Sequence, residues 1–151
     1  MSHEDLGPYD EMGPIDYVVL EWTGERPEPG EVAPLLLDLV DHGIIRILDI
    51  AFLAKDEEGA VATLDLAHLG DSAGAFADFQ GASSGLLDFE DLQEAGGALA
   101  PGTSAAVIVW ENRWAAPVAI ALRRSGGQLV ASGRIPVQAI LASLDAIEAA
   151  T

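Results

Sequence analysis

The sequence predicts an α+β fold. It reads as a ferredoxin-like split β-α-β repeat with a five-stranded, mainly antiparallel sheet, helices on one face and a C-terminal helix. Three observations lead there. A strand, a proline-bearing helix, a glycine stop and a second strand occur twice along the chain. A short turn (KDEEG, residues 55–59) joins the second and third strands, which forces them antiparallel. Half of the 151 residues are hydrophobic, enough to bury a core.

The elements follow in order. Residues 1–14 read as a flexible acidic tail, and residues 15–151 as a single domain. Residues 15–22 (IDYVVLEW) are rich in β-branched and aromatic side chains, as a strand requires. A loop with two prolines (24–30) leads to a helix over 31–42, whose stripe is Val32, Leu35, Leu36, Leu39 and Val40. Pro34 sits near its first turn, where a missing N–H is tolerated, and Gly43 stops it. His42 beside that stop suits the negative end of the helix dipole. Residues 44–54 (IIRILDIAFLA) and 60–69 (AVATLDLAHL) read as the two strands of a hairpin.

Residues 70–102 form an insert between the two halves, with a short helix expected at 73–79 and a clearer one at 89–99. Asp88 is the candidate N-cap of the latter, with Asp91 three residues on. Residues 103–111 are a core strand, 114–124 a helix, 128–136 a fifth strand and 137–150 the C-terminal helix. The duplication aligns APLLLDLVDHG (33–43) with APVAIALRRSG (116–126). The crossover rule then places both repeat helices on one sheet face and gives the strand order fifth, first, fourth, second, third.

Composition removes several functions. There are 25 acids against 7 bases, a net charge of −18, and Lys55 is the lone lysine. Phosphate neutralisation needs a basic face, so nucleic-acid binding is not expected. The chain has no cysteine, which excludes disulfides, thiolate metal sites and a cysteine nucleophile. His3, His42 and His68 show no His-x-x-x-His or His-x-His spacing, so no metal is expected, and no cofactor either. The tail lacks a basic segment followed by an apolar one, and no apolar run reaches the roughly 20 residues of a membrane span. The expected place is the cytoplasm, without membrane insertion.

Residues 81–85 (GASSG) match the G-x-S-x-G nucleophile elbow literally, but every histidine precedes Ser83. That elbow needs a later acid and then a histidine, so a small-residue loop is the better reading. Neither a phosphate loop nor a dinucleotide fingerprint occurs. Arg46, Asp49, Trp110, Asn112 and Trp114 are the candidate ligand or partner surface, because the two indoles flanking Glu111-Asn112-Arg113 could form an aromatic ledge. Leu64 and Leu66 on a poorly charged edge strand are candidates for self-association. Ile140, Leu144 and Ile147 on the C-terminal helix join them.

Three stretches, MGPIDYVVLEW (12–22), EVAPLLLDLVDHGIIRILDIAFLAKDEEG (31–59) and VWENRWAAP with SGGQLVASGRIP (109–117, 125–136), together resemble a known family. It is an uncharacterised family of small acidic proteins, chiefly actinobacterial, defined only as a domain of unknown function. The resemblance implies no activity and no catalytic residue. More distantly, the β-α-β-β plan and the PGTSA start of a later strand (101–105) are similar to a bacterial membrane-associated family with a glycine-rich hairpin insert. No catalytic site is expected, and a soluble, non-enzymatic, self-associating module ranks first, with a dimer by default. A small-ligand sensor ranks second and a carboxylate or histidine enzyme last.

Overall fold

The computed structural model describes residues 11–28, 30–65 and 84–150. The chain divides into two compact units, one ending at Ala121 and one beginning at Leu122.

Among the described residues the first unit holds an open antiparallel sheet of four strands in the order β1-β4-β2-β3. The strands are β1 (Ile15–Thr23), β2 (Ile45–Lys55), β3 (Val61–Leu64) and β4 (Thr103–Asn112). Helix α1 (Val32–Asp41) joins β1 to β2, and α2 (Phe89–Gly97) precedes β4. Both β1 and β2 pair antiparallel with β4, so they run parallel to each other with β4 between them. That is a split β-α-β unit, and the order of these four strands is the expected one. After β4 come a short 3-10 turn (Arg113–Ala115) and α3 (Ala116–Arg124), which runs into the second unit. The second unit carries α4 (Val137–Ala150), which buries none of its residues.

Two expectations are corrected. The fifth strand does not form: residues 127–136 have no regular structure. Their composition suits a strand, but Gly127, Gly133 and Pro136 weaken local preference. Nor do all the helices lie on one face, since α1 and the insert helix α2 are on opposite sides of the sheet. Ala33, Leu36, Leu37 and Val40 of α1 pack with Ile50, Phe52, Ala106 and Ile108. Leu92 and Ala95 of α2 pack with Leu53, Leu99, Ala105 and Val107. Successive strand residues point to opposite faces, so these are the two sides of one sheet. From Thr103 to Val109 every residue of β4 is buried, in keeping with its place as the core strand.

Local chemistry sets the ends. Gly43 takes φ +69°, the left-handed stop expected after α1. Asp88 caps α2 in a reciprocal capping box with Asp91. At the other end of α2, Lys55 Nζ donates to the carbonyls of Gly96 (3.2 Å) and Leu99 (3.0 Å). The lone lysine thus ties the end of β2 to the negative end of a helix. β3 is shorter than expected, ending at Leu64. The expected helix at 73–79 and the end of the expected third strand lie outside the described residues.

His42 follows the last turn of α1, with Nδ1 2.7 Å from the Asp38 carbonyl oxygen and 3.3 Å from Asp38 Oδ1. The bond to that carbonyl, then the Asp38 carboxylate and Asp41, raise its pKa above 6.5, against a lowering by desolvation. A raised pKa stabilises the fold fully below the unfolded value, and the gain is lost as pH rises through the folded one. His42→Gln should therefore remove a small fall in melting temperature between slightly acidic and slightly alkaline pH, read by thermal denaturation in paired buffers.

Candidate functional site

The candidate surface gathers at the end of the sheet where β2 begins and β4 ends. Ile45 faces Asn112, Arg46 faces Glu111 and Ile47 faces Trp110. The register then slips at Leu48, so Asp49 faces Val109. This bulge matters for the site. Arg46 and Asp49 are three residues apart, and strict alternation would put them on opposite faces. The extra residue puts both on the α2 face. Trp110 and Asn112 lie on the α1 face. The sheet therefore splits the expected cluster in two.

On the α1 face, Asn112 uses its whole side chain. Its Nδ2 donates to the Pro14 carbonyl (3.0 Å) and to Asp16 Oδ2 (2.8 Å). Its Oδ1 accepts from Trp110 Nε1 (3.1 Å) and Trp114 Nε1 (3.3 Å). The W-E-N-x-W spacing thus places one amide oxygen between two indole donors. Trp114 remains 67% exposed, so its ring is the part of this corner open to a partner.

On the α2 face lie two buried carboxylates, Asp49 and Glu111. Glu111 Oε2 accepts from the Gly13 N–H at 2.8 Å. Oε1 forms ion pairs with Arg46 Nε (2.9 Å) and Arg113 Nη1 (3.8 Å), without an aligned hydrogen bond. A Cβ on Gly13 would lie 2.3 Å from the Asn112 carbonyl oxygen, so only glycine brings this N–H so close. Asp49 Oδ1 accepts from the backbone N–H groups of Ile50 and Ser84, both at 2.9 Å. Its Oδ2 accepts from Leu87 N–H at 2.7 Å. Ser84 Oγ donates to the carbonyl of the bulged Leu48 at 2.7 Å. The bulge frees a carbonyl, and the segment before α2 satisfies it.

Glu111, Gly13 and Ser84 were not singled out as functional residues. Sequence offered one signal: an acid inside an otherwise apolar strand must find partners or stay at a rim. Leu64 is half-buried against the α1-side core, while Leu66 and Ser83 lie outside the described residues. Ile140, Leu144 and Ile147 are exposed on α4. Among the described residues no group of three or more His, Cys, Asp or Glu could hold a metal ion. No helix among them is long and apolar enough to cross a membrane.

Beside β1, a groove of about 670 Å³ opens on the α2 face. Ile15, Tyr17 and Val19 line it from β1, and Leu86, Asp91 and Glu94 from the α2 side. Its floor is apolar and its α2 wall is acidic.

The model of DUF6325, a family of unknown function, matches residues 11–151. The chain belongs to that family. The DUF6325 match spans the described sheet, the W-E-N-x-W corner and both buried carboxylates. No curated protein and no solved structure matches the chain.

Two substitutions test how the acids are held. Asp49→Asn replaces an acceptor oxygen by a donor facing an N–H, and should lower stability by about 1–3 kcal/mol in urea denaturation. Arg46→Met leaves Glu111 short of countercharge. Because Arg46 is half-exposed, the loss should be about 1–3 kcal/mol, below that of a fully buried pair, and Glu111→Gln in the same chain should recover part of it.

Proposed function

We propose that this protein is a non-enzymatic, self-associating cytoplasmic module whose contact surface is the open edge of β1. One observation carries the reading. Among the described residues, β1 is nine residues long and pairs only with β4, while β3, the edge expected to associate, has four. A long edge without lysine, proline or bulge is a template for another strand. The groove beside it adds the exposed side chains of Ile15, Tyr17 and Leu86. The buried acids support the reading from the other side. Asp49 and Glu111 spend their oxygens on backbone N–H groups and arginines, which is the chemistry of a scaffold.

The ferredoxin-like architecture enters here as a competitor. It needs a fifth strand from residues 128–136, and a free sheet edge is what such a strand requires. A second function is favoured by the groove itself. An apolar floor beside Asp91 and Glu94 suits a small cationic amphiphile, which would make the protein a sensor.

Native mass spectrometry of the full chain, with a denatured aliquot alongside, separates these readings. The self-associating module gives a dimer without excess mass. A monomer with a reproducible adduct supports the sensor. Tyr17→Pro, at an exposed edge position, should convert the dimer to monomer while its far-UV circular dichroism stays that of the parent.

A further inference from the structure

The backbone bonds that flank β1 fix which of its groups face outward. Asn112 N–H donates to the Pro14 carbonyl (2.7 Å) just before β1, and Gly24 N–H donates to the Gly102 carbonyl (3.0 Å) just after it. Between them the register runs unbroken from Ile15↔Glu111 to Thr23↔Thr103. Antiparallel residues alternate between hydrogen-bonded and non-hydrogen-bonded pairs. Residues 14 and 24 are both of the bonded kind, so Asp16, Val18, Leu20 and Trp22 bond to β4. Ile15, Tyr17, Val19, Glu21 and Thr23 therefore point their N–H and C=O groups out of the sheet.

We propose that the partner at this edge is β1 of a second copy, running antiparallel about a two-fold axis through Val19. The proposal rests on the self-association reading and specifies its register. A ladder forms only where outward residues meet outward residues. A two-fold axis midway between two adjacent residues sets outward residues against inward ones and is excluded. Of the axes that pass through a residue, the one through Val19 overlaps the whole strand. It sets Val19 on Val19, Tyr17 on Glu21 and Ile15 on Thr23 as hydrogen-bonded pairs. Val18 meets Leu20 and Asp16 meets Trp22 between them.

Charge agrees with that register. β1 carries two acids, Asp16 and Glu21. With the axis at Val19 neither faces an acid, since Asp16 opposes Trp22 and Glu21 opposes Tyr17. An axis between Val18 and Val19 would set Asp16 on Glu21, and like charges directly opposite are destabilising. The same register keeps the faces continuous. Val18 and Leu20, which pack on the α1 side, meet each other, as do the Val19 side chains on the α2 side.

The absence of cysteine makes the test direct. In the full chain, Val19→Cys places two thiols on directly opposed residues, with Cα atoms about 5.5 Å apart, within disulfide reach. Mild oxidation should move the protein from monomer to twice that mass on a non-reducing gel. Thr23→Cys, which faces Ile15, should remain monomeric on that gel. A mixture of Val18→Cys and Leu20→Cys chains should cross-link to each other in preference to themselves, which keeps the test open if Val19→Cys folds poorly. A native dimer in which Thr23→Cys cross-links and Val19→Cys does not would overturn the register and leave self-association standing. A monomer with no cross-link overturns both. An intramolecular disulfide in the double variant Val19→Cys, Val130→Cys would give the edge to the chain's own 128–136 segment and overturn the proposal.

Discussion

The architecture of the first unit follows from one constraint: β4 has to be dry on both faces. Thr103 to Val109 is buried without a break, and β4 sits between β1 and β2. A strand of this kind needs neighbours on both edges to satisfy its backbone and cover on both faces to bury its side chains. β1 and β2 supply the edges, α1 covers one face and α2 the other. The small residues Ser104, Ala105 and Ala106 let the layers approach closely, while Val107, Ile108 and Val109 fill the middle of the sheet.

The strongly acidic composition makes the burial of two carboxylates informative. Ionised groups are costly to bury unless paired or hydrogen-bonded. Both are satisfied by groups distant in sequence, Gly13 and Arg46 for Glu111, Ser84 and Leu87 for Asp49. Each therefore acts as a long-range tie. Glu111 and Asn112 hold the start of β1 to the end of β4, and Asp49 holds the approach to α2 against β2. Among the described residues the remaining acids lie mainly at the surface, where mutual repulsion resists indiscriminate association. Association of such a chain calls for a contact that directs its acids away from one another.

Much of the sheet was legible because its signals are local. A β-branched and aromatic run marked β1, an almost continuous apolar run marked β2, the KDEEG turn fixed the hairpin, Gly43 ended α1 and Asp88 opened α2. The order of the first four strands followed from those elements and the crossover rule. The fifth strand was misread because composition weighs side-chain preference over the backbone effects of Gly127, Gly133 and Pro136. The face taken by α2 was not legible, because α2 belongs to the insert and lies outside the repeat on which the rule was applied. In the candidate site, the two tryptophans and Asn112 were found by their spacing. Gly13, Glu111 and Ser84 were missed because their roles depend on approaches over long stretches of chain. The split of the cluster between faces turned on one residue, Leu48, that periodicity cannot see.

That residue works as a phase shifter. Every strand residue carries a parity, inward to one layer or the other, and the bulge changes that parity for the part of β2 before it. The hairpin side of β2 and its α1-proximal side can therefore accept different layers without either strand end moving. An altered loop length beyond the bulge leaves parity untouched, whereas one residue gained or lost elsewhere inside β2 moves the side chains on one side of the change to the opposite layer. The tolerance of this chain to insertion is thus governed by a single position in the middle of a strand.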